Sequence, residues 1–281
     1  MAESVVKKEQ QQVATLDLSL VEADADLGNE NVTSETLSIP FLKTNLSEAI
    51  RAANRGSVMG DMYNTVTGQI YDGEKGIKVI SCHFERRFIH WSDINDETSK
   101  APKAIYKRVE DCPPHERDPV KNIDYLKDGS GDYIEDTNQH YCLVLEKDES
   151  GKHTTASPVL IAMKRTSLKA SRKWNTFIKT RHKVTADGKS ITPPRFYWIW
   201  DLSTYKENKG GRDYYVWDAK LSDEAEVTDM NLYMQAKAFY DSIKGDAIDV
   251  KYEQDAPQAE APKPATPSKA EVKGGQGNMP F

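Results

Sequence analysis

The 281-residue chain contains three cysteines, Cys82, Cys112 and Cys142. An odd number at wide spacing excludes a disulfide framework as its source of stability. It has no apolar run approaching the roughly 20 residues of a membrane-spanning helix. Its first residues, MAESVVKKEQQQ, lack the hydrophobic centre of a secretory signal. The expectation is therefore an intracellular protein with no membrane contact. The phosphate loop G-x-x-x-x-G-K-[ST], the dinucleotide fingerprint G-x-G-x-x-G and the nucleophile elbow G-x-S-x-G are all missing. No catalytic residue, no cofactor and no metal is expected, and the chain is read as non-enzymatic.

The chain as a whole is short of positive charge, with a formal net charge of −6. One stretch reverses this. Residues 161–200 carry ten cations (Lys164, Arg165, Lys169, Arg172, Lys173, Lys179, Arg181, Lys183, Lys189 and Arg195) against one acid, Asp187. The stretch ends in Phe196, Tyr197, Trp198, Ile199 and Trp200. Clustered cations beside flat rings supply what a single-stranded nucleic acid requires: charge for phosphate and π-faces for unstacked bases. The plainer alternative is a solvated basic helix followed by a core strand.

Residues 1–37 hold eight acids against Lys7 and Lys8 and no aromatic residue, so they read as a disordered acidic segment. Residues 253–281 form a Pro/Ala/Lys/Gly tail that ends Asn278-Met279-Pro280-Phe281. The folded part is then 38–252. A short helix is predicted near Leu46–Asn54, and a glycine-punctuated meander over Gly60–Gly76. A long strand is predicted over Ile77–Trp91, with Phe84, Arg86, Phe88 and His90 on one face and Glu85, Arg87, Ile89 and Trp91 on the other. Residues 92–136, rich in turn formers, read as a flexible insertion with little regular structure.

Strands are predicted near His140–Glu146 and Pro158–Met163. A helix over Ser167–Lys179 would pack Ala170, Trp174, Phe177 and Ile178 inward and turn Lys169, Arg172, Lys173 and Lys179 outward. A hairpin of 195–202 with 212–219 and a last helix over Asp229–Ile243, capped by Thr228 or Asp229, complete the domain. Composition and periodicity thus give a mostly β (α+β) fold with two main helices.

The predicted phosphate contacts are Lys164, Arg165, Lys169, Arg172 and Lys173, and the predicted stacking rings come from Tyr197, Trp198, Trp200, Tyr215 and Trp217. Arg86, Arg87 and Trp91 make a second candidate on the long strand. Cys112-x-x-His115 with His140-x-Cys142 offers four zinc-type ligands, but the spacing matches no strong zinc pattern. Asp132, Glu135 and Asp136 with His140 form a conceivable metal or general-base group, against the simpler reading of solvated loop acids.

Several segments together resemble a family of tailed-bacteriophage proteins described as single-stranded DNA-binding. They include Ile39-Pro40-Phe41-Leu42-Lys43, Gly60-Asp61-Met62-Tyr63-Asn64-Thr65-Val66-Thr67-Gly68, Phe88-Ile89-His90-Trp91 and Gly211-Arg212-Asp213-Tyr214-Tyr215-Val216-Trp217. The strongest runs from Ser157-Pro158-Val159-Leu160-Ile161-Ala162-Met163 into Thr166-Ser167-Leu168-Lys169-Ala170-Ser171-Arg172-Lys173-Trp174-Asn175. The resemblance implies an OB-like β-barrel core that coats single-stranded DNA during phage replication, recombination or repair in the cytoplasm of the infected bacterial host. Pro280-Phe281 resembles the ending by which bacterial single-stranded DNA-binding proteins dock replication or recombination partners, although the acidic run that precedes it in those proteins is missing here. The sequence is also compatible with a homo-oligomer. Two rival functions remain: a phage structural or assembly protein using the basic and aromatic surface for protein contacts, and a metal-dependent enzyme acting on nucleic acid.

Overall fold

The computed structural model describes residues 38–44, 48–54, 56–93, 95–96, 101–147, 151–209 and 212–245, with Ser19, Asp24 and Leu27 singly. The acidic segment 1–37, save those three residues, and the tail with Pro280 and Phe281 lie outside the described residues. Strand makes up 46% of the described residues, in antiparallel sheets, with three helices among them.

The described residues divide into two compact units, a first within 38–85 and 138–245 and a second within 86–137. The first unit holds a small three-stranded sheet of β1 (Leu42–Lys43), β2 (Met62–Asn64) and β3 (Ile70–Tyr71), with α1 (Glu48–Ala53) before β2. Gly73 lets this segment close on itself. A Cβ at Gly73 would sit 2.0 Å from the Gly60 carbonyl oxygen, so only a residue without a side chain fits there.

The main sheet of the first unit orders β13 (Arg212–Glu226), β12 (Trp198–Lys209), the first part of β4 (Ile77–Trp91) and the last part of β8 (Tyr133–Lys147), with β9 (His153–Lys164) also on β8. Period-two alternation divides its side chains between two cores. Val79, Cys142, Val144, Trp198, Trp200 and Leu202 pack on one face with Met62, Trp174 and Ile178. Ile80, Cys82, Leu143, Leu145 and Ile199 pack on the other with Phe196, Leu232 and Ala236. Helix α2 (Leu168–Thr180) therefore covers one face and α3 (Met230–Lys244) the other. The side chain of Asp229 caps α3 by accepting from the Leu232 amide at 2.9 Å. Between α2 and β12 the chain forms a small hairpin of β10 (Lys183–Val184) and β11 (Ser190–Ile191).

The observed bounds of β4 are those predicted. The hairpin strands β12 and β13 are longer than predicted and hold a continuous register from Trp200↔Leu221 to Lys209↔Arg212. Among the described residues the pairings form no closed barrel.

The second unit corrects the reading of 92–136 as a segment with little regular structure. It holds β5 (Ala104–Tyr106) against β4, and β6 (His115–Asp118) against β7 (Ile123–Leu126), which in turn pairs with β8. Two small cores stabilise it, Ile89, Trp91, Ile123 and Tyr133 in one and Phe88, Leu126 and Ile134 in the other. Strand β6 reads His-Glu-Arg-Asp and has no apolar alternation, so nothing local marked it as a strand. Its pairing with β7 supplies the structure.

Candidate nucleic-acid interface

Helix α2 follows a tight turn at Arg165, whose φ of 51° lies in the left-handed region. A side chain there costs about 1–2 kcal/mol relative to glycine, so the arginine is held by its surroundings. The buried residues of α2 are Ser171, Trp174 and Ile178. Ala170, Trp174 and Ile178 pack inward as predicted. Phe177 does not: it is exposed, with the Lys173 ammonium 5.7 Å from its ring centroid. A polar residue takes an inward place beside them. Buried Ser171 accepts from Asn138 Nδ2 at 2.8 Å and contacts His140 Nε2 at 2.7 Å.

On the outer side of α2, Lys169 and Lys173 line a cleft of about 360 Å³ with Thr166, Tyr205, Glu207 and Trp217. Tyr205, on β12, is 45% exposed. Its hydroxyl donates to Glu207 Oε1 at 2.9 Å, and that of Tyr214 donates to Glu207 Oε2 at 2.7 Å. These bonds hold the Glu207 carboxyl below its usual range. Burial, then the Glu207 carboxylate, push the Tyr205 phenol up to about 12. Lys173 Nζ lies 3.6 Å from Asp218 Oδ1. The cleft thus offers two ammonium groups and one accessible ring, with carboxylates on its sheet wall. Tyr205 was not among the predicted residues. The predicted hairpin strand stops at 202, three residues short of it, and the alternation of Tyr197 and Ile199 continues to Tyr205.

The other predicted residues do not gather there. Lys164, Arg165 and Arg172 are exposed near α2. Tyr197 is half-buried and donates to Glu226 Oε2 at 2.8 Å, and Glu226 also holds Lys183 at 2.6 Å. Tyr215 packs against Gly60 and lines a separate cavity with Asp61, Asp72 and Glu74. Trp198 is 4% exposed, and the Arg181 guanidinium sits 5.0 Å from its ring centroid. Trp200 and Trp217 are likewise buried.

In the second unit Trp91 is 6% exposed and Arg87 is half-buried. Arg86 makes a two-pronged contact to Asp136 at 2.9 and 2.8 Å and lies 4.7 Å from the Phe88 ring. The expectation that Trp91 and Trp198 offer faces to bases is therefore corrected, and Trp200 and Trp217, which alternation left open, are core residues too. Their rings fill the cores of their units, and no base reaches them without opening the fold.

The nearest approach to a catalytic arrangement is the Ser171–His140 contact, and its hydrogen-bond directions exclude a dyad. Arg195 Nη2, which can only donate, lies 3.0 Å from His140 Nδ1. Nδ1 is therefore the acceptor, and the hydrogen of the neutral ring sits on Nε2 and points at Ser171 Oγ. His140 cannot then withdraw a proton from the serine. The ring is fully buried and stacked on Trp174 at 4.6 Å. Burial first, and the Arg195 charge second, hold it well below the ordinary histidine pKa.

Asp132 is likewise occupied, bonded to Lys103 at 2.6 Å and His90 at 2.9 Å. Cys82 and Cys142 are buried, and burial pushes the Cys142 thiol up to about 12. Among the described residues no group of three or more His, Cys, Asp or Glu side chains is placed to hold a metal. Among them, too, no helix is long and apolar enough to cross a membrane, which says nothing of membrane β-barrels.

A family model described as Pam3 phage gp34-like protein matches residues 7–249. The match covers well over half of the chain, and the chain belongs to that family. No curated protein and no solved structure matches it.

Proposed function

We propose that this member of the Pam3 phage gp34-like family is a non-enzymatic protein that binds single-stranded DNA without regard to sequence. The observation that carries the proposal is the cleft in which Lys169 and Lys173 of α2 face the accessible ring of Tyr205. Ammonium groups would follow the phosphates, and Tyr205 would stack one base. No base-edge reading is invoked, so affinity would rest on charge and on stacking.

The mostly antiparallel arrangement is taken as an OB-like scaffold in this proposal, and the protein would act in the host cytoplasm during phage replication or recombination. Pro280 and Phe281 would dock replication or recombination partners.

The five tryptophans, Trp91, Trp174, Trp198, Trp200 and Trp217, are buried. Indole quenching is therefore a poor probe, and fluorescence anisotropy of a labelled dT oligomer is the better one. Saturable binding that weakens steeply between low and high salt and resists duplex competitor is the expected result. A flat anisotropy at low salt would sink the proposal and leave a phage assembly role built on protein contacts.

A further inference from the structure

The first unit holds a half-buried cation with no carboxylate bonded to it. Arg195 donates from Nε to Ser81 Oγ at 2.7 Å and from Nη2 to His140 Nδ1 at 3.0 Å and Asn175 Oδ1 at 2.8 Å. Its guanidinium lies 5.5 Å from the Phe84 ring centroid. Every one of these partners is neutral. Burial lowers its pKa to about 10, which expresses the cost of holding this charge away from water without a counter-charge. A guanidinium has five donors. The Nε and Nη2 donors are occupied, and among the described residues Nη1 has no acceptor. Nor is Nη1 among the buried polar atoms that lack a partner, so it reaches solvent.

The helix turn that carries one of its partners is cationic. Asn175, which accepts from Arg195, lies on α2 between Arg172, three residues before it, and Lys179, four residues after it. Both are exposed, and neither has an acidic partner among the described residues. At about 100° per residue, Asn175 lies on one flank of α2 and the cleft residues Lys169 and Lys173 toward the other. Arg172, Thr176 and Lys179 occupy the outer surface between them.

We infer that the Nη1 edge of Arg195, with Arg172 and Lys179, is an oxyanion site that takes a phosphate group on the flank of α2 away from the Tyr205 cleft. A guanidinium fixed by three hydrogen bonds is preorganised, so a phosphate oxygen meets donors already aimed. If the ligand is a nucleic-acid strand, which rests on the function proposed above, the strand crosses the outer face of α2. It then has one anchor on each flank, and Lys169 and Arg172 stand along the path. The same chemistry would take a free phosphate or a mononucleotide.

The test uses the full chain labelled with ¹⁵N. The Arg195 guanidinium signals, assigned through the residue's own side-chain correlations, are followed during titration with inorganic phosphate at constant ionic strength, then with dTMP and with a dT oligomer. Phosphate and the oligomer are both expected to shift the Arg195 signals, and chloride is not. Arg172→Gln/Lys179→Gln, which alters only exposed positions, should weaken the phosphate response several-fold. It should also lower the salt slope of oligomer binding by about 0.7 for each phosphate that the variant no longer neutralises.

If the oligomer binds while Arg195 stays silent to every anion, Arg195 is a structural strut; the inference fails and single-stranded DNA binding stands. If phosphate or dTMP shifts Arg195 but the oligomer does not bind, the anion site stands for a small phosphate ligand and the proposed function fails. Silence to all three ligands overturns the inference.

Discussion

Helix α2 of the first unit and the second unit carry similar cations in different electrostatic settings. In the second unit several basic side chains have acids at hand. Arg86 meets Asp136 at 2.8 Å, Arg117 meets Asp124 at 2.8 Å and Lys103 meets Asp132 at 2.6 Å. On α2 of the first unit, Arg172 and Lys179 have no acidic partner among the described residues, and Lys173 has a loose one at 3.6 Å. A paired cation has part of its field cancelled and gains little from a phosphate, whereas an unpaired cation keeps its attraction for one. Clustered charge in the sequence is therefore a weaker signal than unpaired charge in the fold. The arginines of β4 and the lysines of α2 look alike until their partners are known.

The largest expected effect tests that difference directly. Lys169→Glu/Lys173→Glu should weaken dT-oligomer binding on the order of a hundredfold at low salt, because two attractions to phosphate become repulsions. The salt slope should flatten by about 1.4, at about 0.7 per phosphate. Anisotropy at several salt concentrations reads both.

Next in size is Tyr205→Ala, which should cost about 1–3 kcal/mol of binding if the ring stacks a base. Its folding stability by urea titration should change little, because the ring is 45% exposed. A change in stability without a change in affinity would mark Tyr205 as structural.

A third expectation concerns pH. His140 is held neutral in the folded chain, by burial and then by Arg195, with its pKa well below the ordinary 6.5. The unfolded chain takes up a proton near that ordinary value and the folded chain does not. Stability from this residue is therefore complete above about pH 6.5 and falls below it, by about 1.4 kcal/mol per pH unit. Urea titrations of the wild type and His140→Gln between pH 5 and pH 8, as an order-of-magnitude window around that pKa, should show the slope in the first and its loss in the second. The same slope in both would shift the cause to another group.

The smallest effect is expected in the second unit. Arg86→Gln should change oligomer affinity by less than about twofold, since Asp136 already neutralises that guanidinium. A weakening as large as that of the α2 variant would erase the contrast between α2 and the second unit.

Much of the architecture was legible locally. Strand β4 announces itself by β-branched and aromatic residues between Gly76 and the turn formers after Trp91. Helix α3 shows its Asp229 cap, and the β12–β13 hairpin its Gly210-Gly211 break. In each case the signal lies in a few adjacent residues whose backbone preferences agree with the final structure. Strand β6 and the inward place of Ser171 on α2 were not legible. The first depends on a neighbour strand, and the second on Asn138 and His140, more than thirty residues away from Ser171.

The sequence by itself determined a mostly β chain, the placement of its main helices and long strands, and an excess of cations over residues 161–200. These follow from side-chain polarity and turn chemistry along short segments. Tertiary structure alone decided which rings and charges face solvent. A tryptophan on a strand is equally a stacking platform or a core residue until something covers that face, and here α2 and α3 cover both faces of the sheet. Trp198 and Trp200 thereby became core, Tyr205 was left exposed, and Arg195 was placed among neutral partners with one edge free, because burial and charge pairing are properties of neighbours in space.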